Sequence, residues 1–160
     1  MNIATVESWI EAPLKRYLDD VHAQLALLLH PSGQVLAQAG FTREVDVMSA
    51  CALAAAVHAT GGELGRQVEG SAFRGLHYAG PSKQLFLAPL TTSRGTFVCL
   101  TVFDDTSSLG LVRLYFDELA RALASAAPPL PVRSTPGPFV DFEADLNRNL
   151  AALFGRDEVV

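Results

Sequence analysis

The chain has 160 residues, 49% of them apolar, with a formal net charge of −5, four histidines and two cysteines. That length suits one domain with an appendage, and so apolar a composition can bury a core without disulfide or metal staples. The acidic balance and the lack of Lys/Arg clusters exclude nucleic acid and anionic membrane as partners.

Met1–Asp20 carries Glu and Asp early and does not read as a signal peptide. Ile3, Val6, Ile10, Leu14, Tyr17 and Leu18 recur at helical spacing and predict a first helix over residues 3–20, kinked or split at Pro13. Leu25–Leu29 is a short apolar run. His30–Gly33 supplies a tight turn, with Pro31 preset for its second position and Gly33 free to take positive φ, and Gln34–Ala37 completes a hairpin. Asp46 is placed to cap a second helix, which runs from Val47 to Val68. Small residues clothe that helix on two flanks: Val47, Ala50, Ala54 and Val57 on one, Met48, Ala52, Ala55 and Ala59 on the other. A helix apolar on two faces is buried on two sides, so one flank belongs on the domain's own sheet and the other calls for a partner. Gly61-Gly62 weakens the helix without ending it.

Phe73–Ala79, bounded by Gly70 and Gly80, reads as a strand suited to a sheet edge, where an uncovered strand pairs with another chain. After a turn at Gly80–Lys83, Gln84–Leu87 reads as a strand, with Pro89 marking an edge or a strand end. Ser93–Gly95 is a further turn, and Thr96–Phe103 has the β-propensity of a central strand. Asp104–Ser108 offers capping oxygens for a third helix that presents Val112, Tyr115, Phe116, Leu119, Ala122 and Leu123 on one face. Residues 1–127 are thus expected to form the domain, 128–138 a stiff proline-rich linker, and 139–160 an amphipathic tail. Short turns force antiparallel pairing. The expected class is α/β (α+β), a five-stranded, mainly antiparallel sheet with helices packed on it. No apolar run approaches the ~18 residues of a bilayer crossing.

Candidate chemistry is sparse. Asp104-Asp105 after an apolar strand has the look of a Mg²⁺ site, but no GxxxxGK[ST] loop accompanies it, and strand end plus helix cap is the preferred reading. Gly61-Gly-Glu-Leu-Gly65 has glycines at phosphate-loop spacing, but it does not follow a strand, and helix–helix packing explains it better. His22, His30, His58 and His77 include no i, i+4 pair, so they are read as structural or surface groups. His58, on the Ala-rich helix, is the one placed to face a partner. Arg66, Arg74, Arg94 and Arg113 are candidates for a phosphate or an acidic loop, and none is assigned as a catalytic finger. Cys51 and Cys99 sit in apolar runs, read as buried reduced thiols, and point to the cytoplasm. The chain is not expected to be an enzyme, and no catalytic, cofactor or metal residue is assigned.

Three stretches carry a family resemblance. Leu25–Leu29, Pro31-Ser-Gly33 and Val35-Leu-Ala37 resemble the opening hairpin of the roadblock / dynein-light-chain family. Ala59-Thr-Gly-Gly-Glu-Leu-Gly65-Arg66 resembles the end of its second helix. Cys99–Asp104 followed by Ser108–Arg113 resembles its last strand entering its last helix. Within the family, the N-terminal helix and C-terminal extension resemble bacterial MglB-type regulators of polarity GTPases. The resemblance implies a three-layer sandwich and a homodimer whose third strands pair across a twofold while the second helices pack side by side. It implies binding of a small Ras-like GTPase, whose hydrolysis is accelerated without an inserted arginine. The interface expected here is Met48, Ala52, Ala55, His58, Ala59, Phe73, Leu76 and Tyr78. Phe139, Phe142, Leu146, Leu150 and Phe154 form an expected partner-docking stripe in the tail. The alternative is a non-catalytic scaffold that binds another roadblock protein or a polarity factor.

Overall fold

Successive residues of a strand point to opposite faces, and the strands of this chain are apolar on both, so both faces need covering. The computed structural model describes residues 4–130 except 6, 42 and 44. The chain order is β1 (Ala4–Thr5), α1 (Ser8–Val21), β2 (Leu25–Leu29), β3 (Val35–Gly40), α2 (Val47–Glu69), β4 (Leu76–Ala79), β5 (Gln84–Thr92), β6 (Gly95–Phe103) and α3 (Leu109–Ala126). The sheet order is β1-β3-β2-β6-β5-β4, and every neighbouring pair is antiparallel. The five expected strands form an antiparallel sheet, and the two-residue β1 adds a short sixth at one margin. The crossover through α2 carries the chain from β3 near that margin to β4 at the other.

Register sorts the side chains into two layers. Ala26, Leu28, Phe86, Ala88, Cys99 and Phe103 face α1 and α3, where they meet Ile10, Leu14, Tyr17, Val112, Phe116 and Leu123. Leu25, Leu27, Leu29, Leu87, Val98, Leu100 and Val102 face α2. Each fully buried leucine contributes about 2 kcal/mol by area. The only fully buried polar side chain among the described residues is that of Thr101, whose hydroxyl pairs with that of Tyr17 at 2.9 Å. Burial pushes the Tyr17 phenol upward, so it stays protonated and able to donate.

Three expectations need correction. The first helix does not begin at residue 3. Ala4 and Thr5 pair with Gln38 and Ala37 of β3, Glu7 is extended, and the helical turn starts at Ser8. Pro13 does not split α1, which continues through it to Val21. Pro89 lies inside β5 rather than at its end. β4 pairs with β5 only as far as Leu87, so beyond it one side of β5 is a local edge that tolerates a residue without N–H. The hairpin turn is as expected: Gly33 takes φ 92° and its N–H reaches the His30 carbonyl at 2.8 Å.

Candidate protein-interaction surface

The longest helix is built for two faces. Asp46 caps it, accepting from Met48 N at 3.2 Å, Ser49 N at 3.4 Å and the Ser49 hydroxyl at 2.6 Å. The Ser49 hydroxyl foremost, with the two amides, holds the Asp46 carboxyl below its ordinary value. The inner face, Cys51, Ala54 and Ala55, is buried on the sheet, and Gly65 further along is buried against the chain leading into β4. Outside that inner face, large apolar side chains stand in solvent on two flanks: Met48 (77% exposed) on one, and Leu53 (67%), Leu64 (55%) and Val68 (67%) on the other. Its charged groups cluster at the C-terminal half, where Arg66 pairs with Glu63 at 2.8 Å and, by donating to it, lowers the Glu63 carboxyl.

The expected interface residues divide. Met48, Ala52 and Ala59 are exposed along one shoulder of α2, and His58 is half-buried. Ala55 does not face outward: it is 7% exposed and packs in the layer between α2 and the sheet. Its shoulder is closed by the β2–β3 turn, since a Cβ on Gly33 would come within 3.3 Å of Ala52 Cα and 3.8 Å of Ala55 Cβ. Phe73 and Leu76 are only half-buried, and both are engaged by their own helix. A Cβ on Gly61 would meet Leu76 Cδ1 at 2.5 Å, and one on Gly65 would meet Phe73 N at 2.6 Å and Ser71 O at 2.8 Å. Gly61 and Gly65 therefore serve as notches, the first for the Leu76 side chain and the second for the chain leading into β4. That replaces both the phosphate-loop reading and the helix–helix packing expected from sequence. Phe139, Phe142, Leu146, Leu150 and Phe154 lie outside the described residues.

Leu53, Leu64 and Val68 are the surface residues that the sequence reading did not single out as interface. The signal was present: they are the bulky members of a helix otherwise clad in Ala and Gly. Leu53 borders an apolar groove of about 350 Å³ between α2 and the sheet, walled by Ala50, Val57, Tyr78, Leu85 and Leu87. Tyr78, 51% exposed, stands at the groove's far wall on β4. Among the described residues β4 pairs only with β5, so its other side is an open edge.

No protein-family profile and no curated protein sequence matches the chain. Solved structures do. Myxococcus xanthus MglB superposes with a TM-score of 0.68 at 28% identity, over 75% of this chain and 95% of that one. The gliding protein MglB of Thermus thermophilus gives 0.66 at 24%, over 74% and 88%. A Roadblock/LC7 domain from Streptomyces avermitilis gives 0.59 at 18%, over 76% and 97%. The chain has a roadblock-type fold resembling MglB.

Within this roadblock-type fold the other candidates have structural partners. Asp104 accepts from the Thr106 hydroxyl at 2.6 Å and the Thr106 backbone N–H at 2.9 Å, the hydroxyl foremost in holding its carboxyl below the ordinary range, and it also accepts from the Gln24 amide. Ser108 caps α3, accepting from Leu111 N at 3.2 Å. His22 ends α1 in the left-handed region, and His77 bonds Gln84 at 2.8 Å while stacking on Phe103. Both cysteines are free thiols and buried, and burial pushes Cys99 up to about 12. Helix α2 is, by length and composition, apolar enough to cross a membrane. Reading for an unbroken apolar run missed this, because Ser49, Thr60, Glu63 and Arg66 interrupt a helix whose hydropathy comes from alanine. Here its inner face is spent on the sheet.

Proposed function

We propose that this chain is a non-catalytic regulator of a small Ras-like GTPase and acts as a homodimer through α2 and β4. The observation that carries the proposal is the exposed apolar surface of α2, with Leu53, Leu64 and Val68 in solvent on one flank and Met48 on the other. Isolated apolar side chains on a surface are ordinary, but four on one helix beside an apolar groove mark an interaction site. The open edge of β4 adds backbone donors and acceptors for a second strand, and a twofold that uses each patch twice satisfies both surfaces together. The likeness to MglB supports this assignment, and the family resemblance in the sequence supplies the GTPase as partner. The chain contributes no catalytic side chain in this scheme. It reshapes the GTPase's own switch regions, and it works in the cytoplasm, where buried reduced thiols persist.

The test mixes the purified chain with its cognate Ras-like GTPase in GDP and GTP-analogue forms. The expected result is a complex on a sizing column and single-turnover GTP hydrolysis raised by at least about tenfold. Both are lost on Leu53→Glu with Leu64→Glu. Unchanged hydrolysis with no complex in either nucleotide state overturns the proposal. The open β4 edge favours one second reading, a scaffold that pairs with another roadblock chain. Recovery of a roadblock partner and no GTPase would select it.

A further inference from the structure

We infer that the cleft between α3 and the chain leading into β4 is a docking site for an acidic partner segment with an aromatic anchor. The cleft, about 380 Å³, lies on the α3 side of the sheet; Phe73, which packs on Gly65 of α2, lines it, but none of the exposed apolar side chains of α2 assigned above does. Its floor is aromatic: Phe86 meets Phe116 edge to face with centroids 5.5 Å apart. Gly75 keeps that floor open, since a Cβ there would come within 3.0 Å of the Phe86 ring.

The rim of this cleft is basic. Arg16, Arg66 and Arg94 are each paired with a carboxylate, and Arg121 donates to the Asp117 carbonyl. Arg74 and Arg113, both exposed and both lining the cleft, have no ion-pair or hydrogen-bond partner among the described residues. Asp117 is the one carboxylate among the residues lining the cleft. Two guanidinium groups against one carboxylate make a positive rim over an apolar floor, in a chain whose net charge is −5. A bare anion would leave the floor wetted, and a neutral apolar peptide would leave the guanidinium forks unused. A segment that carries carboxylates around a phenylalanine satisfies both. Exposed charge pairs contribute little affinity each, so the ring holds the segment and the arginines select its charge.

The test uses the full chain and a fluorescein-labelled peptide, Glu-Asp-Phe-Glu-Asp-Leu, in fluorescence anisotropy at low salt. Saturable binding with Kd below about 1 mM is expected, weakening as salt rises. Arg74→Glu with Arg113→Glu, both at exposed positions and checked for folding by circular dichroism, should weaken it by about tenfold or more. A counterpart peptide with lysines for the acids should bind that variant better than the parent. Replacing the peptide's phenylalanine by alanine should abolish binding to the parent. The inference is overturned by absence of saturable binding, by equal affinity of parent and reversed variant, or by indifference to loss of the phenylalanine. Displacement by inorganic phosphate at the same concentration as unlabelled peptide would also overturn it, in favour of a plain anion site.

Discussion

Gly62 and Gly65 differ by three positions on one helix and should respond in opposite directions to the same change. A Cβ on Gly62 would find nothing nearer than 3.9 Å, so Gly62→Ala only removes backbone freedom from the unfolded chain and should stabilise by about 0.5–1 kcal/mol. A Cβ on Gly65 would press on backbone atoms of Ser71 and Phe73, which cannot swing aside, and Gly65→Ala should cost about 1–3 kcal/mol. Urea unfolding of both variants checks the pair, and equal signs would refute the notch. The sequence made these glycines visible as small residues in a helix. It could not say what fills the space they leave, because the occupant is a loop and not a second helix. Asp46 sits at the other end of the same helix. Its carboxyl is lowered by the Ser49 hydroxyl and the Ser49 and Met48 amides, so its stabilisation is fully present above the unfolded value near 3.9. It is lost as pH falls through the folded value. The melting-temperature gap between the parent and Asp46→Ala should therefore be widest at neutral pH and narrow progressively below pH 4.

Among the elements, α2 shows both the reach and the limit of periodicity. Its span, its cap and its passage through Gly61-Gly62 were readable, since capping oxygen and apolar pattern are local. Which flank meets solvent was not, because alanine is compatible with either face and only the sheet and the Gly33 turn decide it. Ala55→Trp should cost several kcal/mol and lower the yield of folded protein, as the side chain has no room between helix and sheet. Ala59→Trp should leave thermal stability within about 0.5 kcal/mol while disturbing self-association or GTPase binding. Equal destabilisation of the two variants would contradict the assignment of the shoulders. The strand β1 was illegible for another reason. Two residues carry no period, and Ala4 and Thr5 are strand only because β3 offers an edge.

For the whole molecule, the layers followed from composition and order: strands apolar on both faces demand cover on both, and the three helices supply it. The two surfaces proposed for partners should respond to salt with opposite signs. Self-association through α2 and β4 is apolar and opposed by repulsion between copies of charge −5, so raising salt from about 20 to about 200 mM should tighten it in sedimentation velocity. Weakening would indicate that ion pairs carry the contact. The glycine notches give the molecule one more property. Because the Leu76 side chain of β4 sits against Gly61 and the backbone of Ser71 and Phe73 against Gly65, helix and strand are interlocked. Any ligand that nudges the long helix along its axis drags the outermost strand with it, so that engagement on the helix is felt at the sheet's free margin as a mechanical displacement.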